Sequence, residues 1–380
     1  MCDASCIGKA CFQSSQRESG MAIDLNELLL LALERNASDL HLKVSSPPVL
    51  RIDGRLERLE EYDVVKGGDL FGIIDRVADE RLRSAFLETK ELDCSYMLPG
   101  KARFRVNACM DDGKPRIVMR TVPLGAKTLE ELNLPPILSR ICGLRNGLVL
   151  FTGPTGSGKS TSLASMVDLI NATRADHIIT IEDPLEFVHS NKLGVITQRE
   201  VGIDTQSFSN ALRAALREDP DVILIGEMRD TETVRTALSA SETGHLVLST
   251  LHTVDTVESL HRILEFFNEN QHQQIRSQLA SVLRCICSQR ILPRLDDTGR
   301  IPATEVLIGT RTVREFIQAG KPFKEIVKLI EEGKDQYGMQ TFDQSLYDLW
   351  KAKKISTETA LLYASSSKDL QLRMQGVKKK

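Results

Sequence analysis

Apolar residues recur at helical spacing in some stretches of the chain and alternate with polar residues in others. The succession of these two patterns predicts its elements. Leu25, Leu28, Leu29 and Leu33 form a helical stripe behind Asp24, which reads as its N-cap. Ser38 to Lys43 then alternates as a strand would, and Asp53-Gly54 between Val49–Ile52 and Arg55–Glu57 is the signal of a tight hairpin. A helix is expected from Asp69 to Leu87, and three further strands over Glu91–Met97, Ala102–Cys109 and Arg116–Val122. Residues 22–122 therefore predict an α+β domain of ~100 residues, preceded by a flexible leader over residues 1–21. Residues 123–136, with three prolines and a glycine, read as a linker.

The pattern then changes. Strands are expected at Gly147–Thr152, Ile178–Ile181, Gly194–Gln198, Val222–Ile225 and His245–Ser249, with helices over Ser160–Ile170, Phe208–Leu216 and Thr231–Ser241 between them. Such alternation predicts a mostly parallel sheet covered by helices, an α/β domain filling residues 137–380. From Glu305 onward the chain reads mainly as amphipathic helix and ends in a charged tail that includes Lys378-Lys379-Lys380.

Composition narrows the picture. Hydrophobic residues make up 41% and charged residues 27% of the 380, as in a globular protein. No apolar run approaches the roughly 18 residues of a membrane span. No secretory signal pattern opens the chain, so the expected compartment is the cytoplasm. A net charge of −3 argues against broad nucleic-acid binding. Eight cysteines occur without a C-x-x-C pair. Cys285 and Cys287 lie in an apolar segment and read as small hydrophobes, while Cys2, Cys6 and Cys11 fall in the leader.

The chemistry starts at Gly153-Pro154-Thr155-Gly156-Ser157-Gly158-Lys159-Ser160-Thr161, a G-x-x-x-x-G-K-[ST] loop between an expected strand and helix. Glycines let successive N–H groups turn toward phosphate oxygens, and the helix N-terminus adds partial positive charge. Lys159 is placed to reach the β- and γ-phosphates and Ser160 to offer its hydroxyl to Mg²⁺. A nucleoside triphosphate is the expected ligand.

Three more segments cluster polar groups. Glu182, Asp183 and Glu186 follow an expected strand, at the carboxyl edge where phosphates sit in α/β proteins. The run reads either as an exposed loop or as the source of a water-activating base. Val222–Ile225 followed by Gly226-Glu227 has the form of a Walker B strand with Glu227 as its acid, the alternative being an ordinary buried strand with a surface acid. Thr250, His252 and Thr253 end another strand where a γ-phosphate sensor would stand, although a strand-end histidine is commonly structural.

Together these segments resemble the secretion-type hexameric ATPases, and within them the type IV pilus retraction family. The likeness extends to Ala37-Ser38-Asp39-Leu40-His41-Leu42, Phe104-Arg105-Val106-Asn107, Gln198-Arg199-Glu200 and Leu212–Asp221. The resemblance implies a PAS-like N-terminal domain, a RecA-like C-terminal domain and a homohexameric ring. ATP would lie between the domains and be completed by a neighbouring subunit. By the same analogy Glu186 polarises the attacking water, Glu227 acts through the Mg²⁺ shell and His252 reports the γ-phosphate. Arg103, Arg105, Arg120 and Arg217 are the arginine candidates for stabilising transferred charge. Implied partners are an inner-membrane pilus platform protein and a paralogous retraction ATPase, with the ring at the inner face of the cytoplasmic membrane.

The chain departs from the retraction pattern at Thr312-Val313-Arg314-Glu315-Phe316-Ile317 and at Asp111-Asp112-Gly113. An accessory retraction paralogue therefore stays open. So does an assembly or type II secretion ATPase, although those relatives generally carry a four-cysteine zinc module that this chain lacks. A regulatory subunit with little turnover is the remaining alternative. A nucleic-acid translocase on the same core is disfavoured by the charge.

Overall fold

The computed structural model describes residues 23–376 other than 53, 124, 297 and 298. The leader expected over residues 1–21 and the lysines at 378–380 lie outside the described residues. The chain divides into two compact units, one ending at Val122 and the other beginning at Pro123.

In the first unit, helix α1 (Leu25–Glu34) is capped by Asp24, whose carboxylate accepts the Asn26 N–H at 2.9 Å. Leu25, Leu28, Leu29 and Ala32 form its buried face. Strands β1 (Asp39–Lys43), β2 (Val49–Ile52) and β3 (Arg55–Arg58) follow, then helices α2 (Gly67–Val77) and α3 (Glu80–Thr89). Strands β4 (Glu91–Leu98), β5 (Ala102–Asp111) and β6 (Lys114–Val122) complete an antiparallel sheet in the order β3-β2-β1-β6-β5-β4. The hairpin between β2 and β3 closes with Ile52 opposite Arg55, and Gly54 takes the left-handed backbone that a two-residue turn requires. One helix was expected over Asp69–Leu87, and two are found. Ala78 is extended, and Asp79 starts α3 afresh by accepting the Leu82 N–H at 2.8 Å. An N-cap inside a continuous apolar stripe divides it, because the cap residue itself cannot be helical.

The second unit contains α4 (Ile137–Cys142), β7 (Gly147–Thr152), α5 (Lys159–Thr173), β8 (His177–Glu182), β9 (Val195–Glu200), α6 (Phe208–Ala215), β10 (Val222–Ile225), α7 (Thr231–Glu242) and β11 (Leu246–Leu251). Helices α8 (Thr256–Glu265) and α9 (His272–Val282) precede strands β12 (Leu283–Pro293) and β13 (Arg300–Ile308), α10 (Arg311–Gln318) follows them, and further helices run to Met374. The sheet order is β13-β12-β7-β11-β10-β8-β9, parallel except where β13 meets β12.

Alternate strand residues face opposite layers. Leu148, Leu150, Ile179, Ile181, Ile223 and Ile225 pack toward α6 to α9, while Val149, Phe151, Ile178, Val222 and Leu224 pack toward α4 and α5. The expected strand and helix positions in 147–251 match this arrangement within a few residues.

The pair β12–β13 differs from expectation: it is sheet where only an apolar segment and the start of a helical tail were read. Strand β12 leaves α9 at Leu283 with no glycine or turn between them, so nothing in the sequence marks the change of period. Strand β13 contains Pro302, which the sheet accommodates because β13 is an edge strand. Cys285 and Cys287 are fully buried, and burial pushes the Cys285 thiol up to about 12, so both pack as apolar side chains. Leu292, Ile301 and Ala303 at the far end of the pair form a separate core with Phe342, Leu346, Ile355, Ala360 and Leu370 of the last helices. No helix among the described residues is long and apolar enough to cross a membrane.

Candidate active site

The loop of residues 153–158 joins β7 to the N-terminus of α5. It begins where no side chain fits: a Cβ on Gly153 would lie 2.5 Å from both the Gln289 carbonyl oxygen and Ser157 Oγ. The loop curls back on itself here, and its other glycines, Gly156 and Gly158, are left-handed. Ser157 is buried, and its hydroxyl has no hydrogen-bond partner within the protein. Such an orphan is what an incoming phosphate oxygen would satisfy, so these residues fit a triphosphate.

Lys159 is 8% exposed, and its Nζ donates to the carbonyls of Gly153 at 2.7 Å and Pro154 at 3.1 Å. Burial lowers its pKa, and the neighbouring Glu227 carboxylate opposes that shift. Two buried polar pairs hold the loop's flanks. Thr152 Oγ1 lies 2.7 Å from Ser288 Oγ, and Ser162 bonds to the Gln289 amide at 2.9–3.1 Å.

The loop opens on a cavity of about 910 Å³, within the size expected of a nucleotide site. Glu182, Asp183 and Glu186 beyond β8, Glu227 beyond β10 and His252 beyond β11 all line it. The expected acids and histidine are thus brought together with the phosphate loop by three adjacent parallel strands.

Glu227 lies between two basic side chains, with the Arg229 guanidinium Nε at 2.7 Å and the His252 ring Nε2 at 3.4 Å from its Oε2. Thr250 Oγ1 donates to the Gly226 carbonyl at 2.7 Å, tying the β11 end to the β10 end. Thr253, grouped with the sensor from sequence, is instead buried and bonded to Ser259 at 2.6 Å, at the start of α8. Glu186 is exposed, and its N–H donates to Glu182 Oε2 at 3.4 Å.

Glu182 is named in the acidic run, but only Glu186 receives a role there. Burial raises the Glu182 pKa to about 7, against hydrogen bonds that lower it. Its position as the last residue of a buried strand was the available signal. Arg229 was also passed over, although it stands two residues after Glu227 in the same turn.

The arginine candidates are distributed differently. In the first unit, Arg120 Nε bonds to the buried Asp39 at 2.8 Å, Arg103 donates to Ser95 Oγ at 2.9 Å and Arg105 lies 3.7 Å from Asp93. Arg217 follows α6 on the exposed surface of the second unit and does not line the cavity.

Phosphate loop, Walker-type strand, acidic turn and strand-end histidine on a largely parallel sheet define a nucleotide-hydrolysing P-loop protein. The chain matches the family model for type II/IV secretion system proteins over residues 15–319. It is 43% identical to the type IV pilus retraction ATPase PilT of Pseudomonas aeruginosa, over 89% of this chain and 97% of that protein. It is 39% identical to the type IV pilus ATPase PilU of the same organism, over 92% of this chain and 91% of that one. A crystal structure of the pilus retraction motor PilT with bound ADP superposes with a TM-score of 0.85 at 42% identity, covering 92% of this chain and 99% of that one. The chain belongs to the type II/IV secretion system protein family and is a secretion ATPase of the PilT and PilU type.

Proposed function

We propose that this chain is the motor subunit of a homohexameric ring that hydrolyses ATP to retract type IV pili. The observation that carries the reading is the convergence of Lys159, the orphaned Ser157 hydroxyl, Glu186, Glu227 and His252 on one cavity. The pilus duty is supported by likeness to PilT and PilU over nearly the whole length of all three chains.

The loop N–H groups, the Ser157 hydroxyl and the Lys159 ammonium hold the phosphates. Ser160 and Glu227 supply a hydroxyl and a carboxylate facing the cavity, a donor set that fits Mg²⁺, which takes few protein ligands beside phosphate oxygens and water. Bound there, Mg²⁺ would offset charge on the β- and γ-phosphates. Glu186, exposed to solvent within the cavity, accepts the proton of the attacking water. His252 hydrogen-bonds the γ-phosphate and passes its presence to Glu227, the group it already faces. Arg120, Arg105, Arg103 and Arg217 are offered to a neighbouring subunit's phosphates, Arg120 foremost because Asp39 fixes its Nε and leaves its outer nitrogens free to reach outward. The ring works at the inner face of the cytoplasmic membrane against an inner-membrane pilus platform protein, alongside a paralogous retraction ATPase.

A deletion strain tests the duty. Surplus pili that fail to retract, with retraction restored by the wild-type gene, are expected. Loss of pili would instead mark an assembly motor.

A further inference from the structure

Sheet order divides the cavity into two ends. The loop follows β7; the acids and His252 come from β8, β10 and β11 on one side of it, and β12 and β13 lie on the other. A triphosphate whose terminal phosphate meets Glu186 and His252 must therefore place its nucleoside toward β12–β13. That end is lined by Ile291, Arg294, Arg300 and Pro302 of the pair, and by Leu132, Asn133 and Leu134 of the segment before α4. Ile291 stands directly against the loop, 3.4 Å from where a Cβ on Gly158 would be.

These two walls come from separate stretches of chain, and one residue joins them. Lys354, in the turn after the helix Phe342–Lys351, gives its carbonyl to the Leu295 N–H at 2.9 Å, just past the end of β12. Its ammonium donates to Asn133 Oδ1 at 2.5 Å. Both side chains are half-buried. An ammonium can only donate, so it fixes which face of the Asn133 amide turns toward it. Asn133 Nδ2 is then held toward the Glu131 carbonyl at 3.3 Å, on a left-handed backbone that asparagine tolerates. The last helices are themselves anchored to the β12–β13 end through Leu292, Ile301 and Ala303.

We propose that Lys354 is a positioning residue for nucleotide binding, a staple by which the C-terminal helices set the width of the nucleoside end of the cavity. The inference rests on the assignment of the phosphate loop above. It makes the C-terminal helices a place from which affinity for the nucleoside can be altered without touching the groups around the γ-phosphate.

The test uses the full chain and two ligands, ATP and inorganic tripolyphosphate, which occupies the loop but carries no nucleoside. Lys354→Met should raise KM for ATP about fivefold while kcat stays within about twofold, since only the staple's charge-assisted bond is lost. Tripolyphosphate, read as a competitive inhibitor, should keep its wild-type inhibition constant. Lys354→Arg, which retains a donor, should recover most of the ATP affinity. Equal KM values for wild type and Lys354→Met would overturn the proposal, as would a parallel loss of tripolyphosphate affinity. Failure of both ligands to bind the wild-type chain would instead overturn the loop assignment.

Discussion

The two flanks of the phosphate loop are built from different materials. On the β8–β11 flank, parallel strands end together and each delivers a charged or polar group into the cavity: Glu182, Glu227, Thr250 and His252. On the β12–β13 flank the polar groups are buried beneath the loop, as Ser288 and Gln289, and the cavity wall is Ile291, Pro302 and two exposed-end arginines. The first flank has the groups the proposed hydrolysis needs to move charge and protons. The second holds the loop's shape and, on the proposal above, seats the nucleoside against a mixed wall backed by helices from the far end of the chain. On the proposed reading the fold separates hydrolysis from grip, and each flank should fail in its own way when altered.

The largest effect should come from the loop that both flanks share. Lys159→Ala removes the cation that reaches the phosphates and should abolish steady-state ATP hydrolysis, a loss of at least ~10²-fold. Phosphate release assays read it, and retained turnover would dissolve the comparison altogether. On the charged flank, Glu227→Gln should also lower kcat by ~10²-fold with nucleotide binding preserved. If binding falls instead and kcat survives, the β10 acid belongs to grip.

On the other flank, Gln289→Leu leaves the Ser162 hydroxyl buried and unpaired, which should cost about 1–3 kcal/mol of stability in a urea melt. An unchanged midpoint would show that the loop does not lean on β12. The smallest effect concerns Glu182. Its folded pKa is raised from 4.5 to about 7, so the folded state holds a proton that the unfolded state has released between those values. Stability from this group is therefore present below about pH 4.5 and is lost as pH rises toward 7. Glu182→Gln should flatten that part of the melting-temperature profile, and an unaltered slope would assign it to other groups.

The charged flank was legible in the sequence because each of its groups sits next to the element that places it. Val222–Ile225 precedes Glu227, and the Gly153–Thr161 motif carries its own strand and helix. The other flank was not legible for physical reasons. Strand β12 continues from α9 without punctuation, Pro302 disguises β13, and Lys354 lies 221 residues from the asparagine it holds. Thr253 shows the converse, a residue in the right place along the sequence whose hydroxyl is spent on a buried hydrogen bond with Ser259. Asp79 shows that a local signal can be present and still be overridden in the reading by a longer apolar stripe.

The division of labour is tested most directly by measuring ATP binding and ATP hydrolysis side by side on Glu186→Gln. Binding should remain within about threefold of wild type while hydrolysis falls by ~10²-fold or more, the usual worth of a positioned base. Hydrolysis at the wild-type rate would contradict the account and move the base away from the acidic turn after β8.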